Sequence, residues 1–175
     1  MARAQQDLRG GRSGVGLIVT AVNRSLDGYT EDYLRREAYT AGVDARHRFG
    51  KNGMYELTGQ LFGSFVRGSE QAIARTQRSA VHFYQRPDDD VAYDSTRTSL
   101  GGSGSGIGLS KNGGLTRFYT GLWYKGAGLE INDVGFMQNA NNMGQSNWFA
   151  FVFQQPKWWY RRWQVNLNQW NVFNA

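Results

Sequence analysis

The sequence has no cysteine, only two prolines and no long hydrophobic run. The absence of cysteine excludes disulfide frameworks and thiolate metal sites, and it leaves the redox compartment open. The longest apolar stretches, 15–22 and 149–153, are far shorter than the roughly 20 residues that a membrane-spanning helix needs. Low proline content together with 23 glycines and 14% aromatic residues is typical of an all-β protein.

Positive charge is not concentrated anywhere in the chain. The net charge is +6, but the lysines and arginines are scattered, and adjacent ones form only dipeptides such as Arg35-Arg36 and Arg161-Arg162. Clustered basic residues are the electrostatic footprint of nucleic-acid binding. We therefore predict no nucleic-acid partner.

The segment 54–67 alternates between two faces over its whole length and predicts one long strand. With 3.3 Å per residue and a tilt near 45°, Tyr55 and Phe65 would stand roughly 23 Å apart across a bilayer. That span is close to the ~25 Å apolar band of a transmembrane β-barrel, which is flanked by aromatic residues. The mean hydropathy of −0.58 is compatible with a barrel, because alternation spreads the apolar residues. The apolar face carries Tyr55, Leu57, Gly59, Leu61, Gly63 and Phe65.

Further alternating segments predict six more strands, at 12–23, 37–49, 99–111, 115–125, 147–155 and 157–173. In the weak, glycine-studded strand 99–111, we expect bulky rings of the following strand to cover the bare glycines.

Tight turns and long loops alternate between these strands. Asn-Gly turns at 50–53 and 111–114 and a turn at Pro156 join hairpins. Long polar loops at 24–36, 68–96 and 126–146 join the other pairs, and Ser69 is expected to cap a short helix in the second loop. Outer-membrane barrels alternate in this way. The predicted fold is an all-β, antiparallel up-and-down meander of about seven strands, part of a transmembrane β-barrel, in one domain spanning 1–175.

The alternation sorts the strand residues into two sets. A soluble lipocalin-like ligand-binding barrel is the alternative, and it would point the apolar set inward. In the membrane orientation, the lipid-facing residues are Leu57, Leu61, Phe118, Val165 and Leu167. The lumen-facing residues are Arg46, Glu56, Gln60, Arg117, Gln164 and Asn166.

Motifs for catalysis or metal binding are weak. The glycine tract 101–108 lacks the spacing of a phosphate-binding loop, and His47 and His82 have no companion ligand at metal-site spacing. The acidic run 88–90 with Asp94 misses the glycine and the glutamate of a calcium loop. We predict no enzyme activity, no cofactor and no metal site, and keep an outer-membrane hydrolase as a second alternative.

Three segments carry a resemblance to a known family: SAVHFYQRPD at 79–88, GLEINDVGFMQN at 128–139 and NLNQW at 166–170. They resemble the C-terminal barrel of an uncharacterised bacterial outer-membrane family, with similarity over about 7–173. In that family the barrel follows a periplasmic domain similar to family-nine carbohydrate-binding modules. The resemblance implies the bacterial outer membrane as the location, membrane lipid as a partner, and transport or binding of a saccharide or other small ligand at the cell surface.

Compared with that family, we interpret the chain as a piece without the carbohydrate-binding-like domain, the signal peptide and the later strands. We therefore expect a barrel fragment that is not stable alone. Its structure should be an open curved sheet with unpaired edges at 12–23 and 157–173. Unpaired backbone groups are not tolerated against lipid, which is why the fragment should not be stable alone.

The long loops are expected to carry recognition, since loops on a rigid barrel are free to vary and to bind. The alternative is that these segments fold back and close the barrel mouth. The candidates are His82, Gln85, Arg86, Asp88, Asn132, Asp133 and Phe136.

Overall fold

The structure, a computed structural model, describes residues 1–85 and 91–175. Eight strands in these residues form one antiparallel sheet in which each strand pairs with the next in the chain. The predicted all-β meander is confirmed, with eight strands rather than seven. The strands are β1 (Ala2–Leu8), β2 (Ser13–Asn23), β3 (Glu37–Phe49), β4 (Tyr55–Arg67), β5 (Ser99–Lys111), β6 (Thr116–Lys125), β7 (Asn142–Phe153) and β8 (Trp163–Asn174), and helix α1 spans Glu70–Gln77.

Strand β1 is the one that the sequence pattern missed. Its seven residues are all exposed, so it shows no apolar alternation. Backbone pairing with β2, from Ala2 opposite Val19 to Leu8 opposite Ser13, defines it instead. The turn between the two strands contains Arg9, whose φ is 55°, followed by two glycines of positive φ. This turn lies at the same end of the sheet as the other tight turns.

The sheet is not closed, and β1 and β8 are its two edges. The expected open sheet is therefore confirmed. The expected first edge at 12–23 was wrong, because β2 pairs with β1 on one side and β3 on the other. Every residue of β8 is exposed. That the sheet is part of a transmembrane barrel stays a prediction.

The β7–β8 connection also differs from the prediction. It runs over 154–162 and contains a bridge between Lys157 and Tyr160, in place of a tight turn at Pro156. Strand β7 begins at Asn142 rather than at 147, since the backbone pairs with β6 from Lys125 onward. Pairing of this kind requires no apolar alternation, which is why the pattern did not reveal it.

Helix α1 begins at its predicted cap. The Ser69 hydroxyl accepts a hydrogen bond from the backbone N–H of Ala72 at 3.1 Å. The helix packs Ile73 against Val66 of β4 and Leu100 of β5, so it covers the end of the sheet where the long loops lie. We call this end the loop end and the opposite one the turn end.

Aromatic rings lie over the bare glycines, as expected. A Cβ atom at Gly108 would lie 2.9 Å from the ring of Tyr119 on β6. A Cβ atom at Gly104 would lie 2.5 Å from Cζ of Phe62, which reaches over from β4 rather than β6. These glycines are required because the rings occupy the space that side chains would fill.

Candidate functional site: two sheet faces and a loop cluster

The register places the whole predicted lipid-facing set on one side of the sheet, here called the outer face. Tyr55, Lys111, Phe118, Phe149 and Leu167 are paired in one row across β4–β8. Side chains two residues apart along a strand share its face, which adds Leu57, Leu61 and Val165. Leu61 is 58% exposed and Leu167 is 69% exposed. The outer face is thus mostly apolar, with a hydrogen-bonded polar row of Thr120, Asn147 and Gln169 across β6–β8.

Aromatic residues stand at both ends of this outer face. Near the turn end, the ring of Tyr55 lies 5.4 Å from that of Phe49 and 6.4 Å from that of Phe118, between centroids. Near the loop end, Tyr39 of β3 is paired with Phe65 of β4. The apolar surface therefore has aromatic borders of the kind found at membrane interfaces.

The opposite side, here called the inner face, carries the ion pairs of β1, β3 and β4. Arg46 contacts Asp7 at 2.7 Å, and Arg48 contacts Glu56 at 2.5 Å. A third pair, Arg3 with Asp44, is looser at 3.7 Å. The register places the whole predicted lumen-facing set on this face: Arg46, Glu56, Gln60, Arg117, Gln164 and Asn166.

A cavity of about 650 Å³ lies on the inner face between β1 and β6. Gly106 and Gly108 of β5 are part of its lining. Its polar and aromatic lining consists of Gln5, Asp44, Arg46, Thr58, Gln60, Tyr119, Trp123 and Lys125.

Charged side chains from all three long loops meet above the inner face at the loop end, in a group that we call the loop cluster. Its members are Arg24, Arg35, His82, Glu130 and Asp133. Asp133 accepts from Arg24 Nη1 at 2.7 Å and from Arg35 Nε. Glu130 lies 3.0 Å from His82 Nε2 and 3.9 Å from Arg35 Nη1. The cluster ties together segments that are up to 109 residues apart in the chain.

His82 and Glu130 form the most buried part of the loop cluster. His82 Nδ1 lies 2.8 Å from the carbonyl oxygen of Ala127, so Nδ1 carries a hydrogen. Burial raises the pKa of Glu130, but hydrogen bonds from His82 and from the N–H of Asn132 and the charge of Arg35 outweigh it. The net pKa of Glu130 lies below the ordinary value, so Glu130 is a carboxylate.

The loop 126–141 is seated directly on the inner face. The N–H of Glu130 donates to Ser64 Oγ of β4 at 2.8 Å. A Cβ atom at Gly102 of β5 would lie 2.8 Å from Leu129 Cα, so the loop backbone passes directly over that glycine. Leu129 is fully buried and packs in one apolar group with Phe62. The loop therefore covers the inner face at the loop end.

The loop candidates divide into two groups. His82 is 1% exposed, and Asp133 is a member of the loop cluster. Asn132 Oδ1 accepts from the N–H of Met137 at 2.7 Å, so it shapes its own loop. These three positions favour the alternative in which the loops pack onto the mouth. Gln85 is exposed and Phe136 is 79% exposed, whereas Arg86 and Asp88 lie outside the described residues.

Sequence reasoning missed Arg24, Arg35 and Glu130 as partners in the loop cluster. The only available signal was the presence of opposite charges in different long loops, which does not specify pairs. Within residues 1–85 and 91–175, no group of three or more histidine, aspartate or glutamate residues is arranged to hold a metal ion. No helix among these residues is both long and apolar enough to cross a membrane.

The fold defines the chain as an open antiparallel meander with one mostly apolar face and one face that carries the ion pairs of β1, β3 and β4. No family model, curated protein or solved structure matches the chain. The similarity to an outer-membrane family therefore stays a prediction.

Proposed function

We propose that this chain is part of the wall of a bacterial outer-membrane β-barrel that transports or binds a small ligand at the cell surface. The supporting observation is the distribution of side chains over the two sheet faces. Exposed apolar residues with aromatic borders occupy the outer face, while ion pairs and loops occupy the inner face. In this proposal membrane lipid covers the outer face, and a saccharide is the ligand class that the family resemblance implies.

The soluble lipocalin-like alternative requires the opposite arrangement. A soluble barrel buries its apolar side chains inside, where the inner face of this sheet holds Asp7–Arg46 and Arg48–Glu56. It would also leave a contiguous apolar outer surface in water, which soluble monomers rarely expose. Both features favour a lipid environment.

Membrane insertion requires hydrogen-bond partners for the backbone of the two edge strands. Backbone N–H and C=O groups must be hydrogen-bonded in the hydrocarbon region, so β1 and β8 need partners there. The inserted form therefore has both edges paired, with each other or with additional strands. The proposal assigns no catalytic role to the chain.

Two variants with one cysteine each test the proposal. The chain contains no cysteine, so each variant is labelled at one position only. Leu61→Cys places a fluorescent label on the outer face, and Gln60→Cys places the same label on the inner face one residue away. In vesicles with brominated acyl chains, we expect strong quenching of the label at 61 and weak quenching at 60. Aqueous iodide should give the opposite order.

Equal quenching at both positions would contradict the two-face arrangement. A protein that stays in the aqueous phase, with neither label quenched by the brominated lipid, would overturn the membrane proposal and favour the soluble barrel. Leu17→Cys, on the outer face of β2, is the matched control and should behave as the label at 61 does.

A further inference from the structure

The charges of the inner face are balanced on one half of the sheet and unbalanced on the other. Each carboxylate of β1, β3 and β4 on this face is paired with an arginine, at distances of 2.5–3.7 Å. Strands β5–β8 contain no aspartate or glutamate at all. Arg117 and Lys125 of β6 therefore add two positive charges to the inner face that no carboxylate on it offsets.

The loop cluster does not supply the missing negative charge. Its carboxylates, Glu130 and Asp133, are already engaged by His82, Arg24 and Arg35. Lys125 Nζ instead bonds to a neutral acceptor, Oδ1 of Asn139, at 2.9 Å. An ammonium group has three donors, so this bond leaves capacity for an anion.

Lys125 lines the 650 Å³ cavity next to two aromatic residues. Its Nζ lies 5.4 Å from the ring centroid of Trp123. The ring of Tyr119 lies across Gly108 and Gly121, flat against the sheet, because these glycines have no side chains to lift it. The cavity volume falls within the ~300–1,000 Å³ range of small-molecule sites. A cation beside two ring surfaces matches a molecule that has both an anionic group and a ring.

We propose that the cavity on the inner face binds a small organic anion that carries a ring. Lys125 binds the anionic group, Trp123 and Tyr119 contact the ring, and Gln60 and Thr58 offer hydrogen bonds to its other polar atoms. This inference rests on the proposed function, since it assigns a ligand class to the lumen side of the same wall.

Equilibrium dialysis of the vesicle-inserted protein tests the proposal with three probes. The probes are 4-hydroxybenzoate, its neutral analogue 4-hydroxybenzamide, and acetate, which has the charge without the ring. We expect saturable binding of 4-hydroxybenzoate, about tenfold tighter than that of the amide, because a charge-assisted hydrogen bond forms only with the anion. Acetate should bind more weakly than 4-hydroxybenzoate.

Two variants assign the effect to the cavity. Lys125→Met keeps the apolar stem and should abolish the preference for the anion over the amide. Trp123→Leu should weaken both ring-bearing probes. Lys111→Met is the matched control, since Lys111 lies on the outer face and should leave binding unchanged.

Equal binding of acid and amide, or a preference that survives in Lys125→Met, would overturn the inference. Quenching of the labels at positions 61 and 60 by brominated lipid is measured under the same conditions. It distinguishes a failure of this inference from a failure of the proposed function. Lipid insertion without anion preference refutes the ligand class alone, whereas anion preference in a protein that does not insert refutes the membrane role alone.

Discussion

The loop 126–141 packs directly on the sheet at Gly102, and a substitution of this glycine tests whether that contact holds the loop in place. In Gly102→Ala, the new Cβ would lie 2.8 Å from Leu129 Cα and still closer to the backbone at 128–129. Ordinary contact begins at 3.4 Å, and the nearest loop atom is the backbone nitrogen of Leu129, so the loop backbone must retreat by about 1.2 Å. A retreat of that size would stretch the 2.8 Å bond from the Glu130 N–H to Ser64 beyond good geometry. Overpacking of this kind costs about 1–3 kcal/mol.

Two measurements check the prediction in the vesicle-inserted protein. Denaturant titration should show the loss in free energy of unfolding, and limited proteolysis should cleave 126–141 faster than in the wild type. Gly59→Ala is the matched control, because a Cβ there meets nothing within 4 Å. If both variants behave alike in both assays, the loop is not held by close approach to Gly102 and the reasoning fails.

The remaining predictions concern the outer face, the loop cluster and the helix cap. Leu61→Arg should destabilise the inserted protein by about 2–4 kcal/mol and Gln60→Arg much less, and equal losses in denaturant titrations would contradict the membrane orientation. Because the pKa of Glu130 is lowered in the folded state, its contribution to stability is present above the ordinary value of 4.5 and is lost as pH falls below it. Glu130→Gln should flatten the acid limb of a plot of unfolding free energy against pH, and an unchanged limb would exclude this carboxylate as its source. Ser69→Ala should cost about 1 kcal/mol in denaturant titration through loss of the helix cap, whereas an unchanged stability would mean that tertiary packing alone holds α1.

Local patterns predicted the parts of the structure that depend on near neighbours in the chain. The period of two assigned Leu61 and Gln60 to opposite faces, because successive side chains of a strand point to opposite sides. The Ser69 cap was equally local, since its hydroxyl binds an N–H three residues away. Strand β1 escaped prediction because a polar strand at an edge is defined only by its partner.

The candidate site was predictable only in part for the same reason. The two sheet faces follow from alternation, whereas the loop cluster pairs residues that are far apart in sequence. His82 and Glu130 are separated by 48 residues, and Arg35 and Asp133 by 98. The sequence therefore predicts His82, Asn132 and Asp133 as candidates for recognition, with folding back of the loops as the alternative, but it does not specify which residues pair.

The sequence by itself determined that the chain forms long antiparallel strands with one apolar and one polar side. That information is local, because alternation and turn residues act over a few positions. Only the tertiary structure decided that the sheet has eight strands with open edges, that Leu129 passes over Gly102, and which charges pair above the inner face. These outcomes depend on which distant segments meet, and opposite charges or bare glycines are compatible with many partners until the sheet register brings one of them within contact distance.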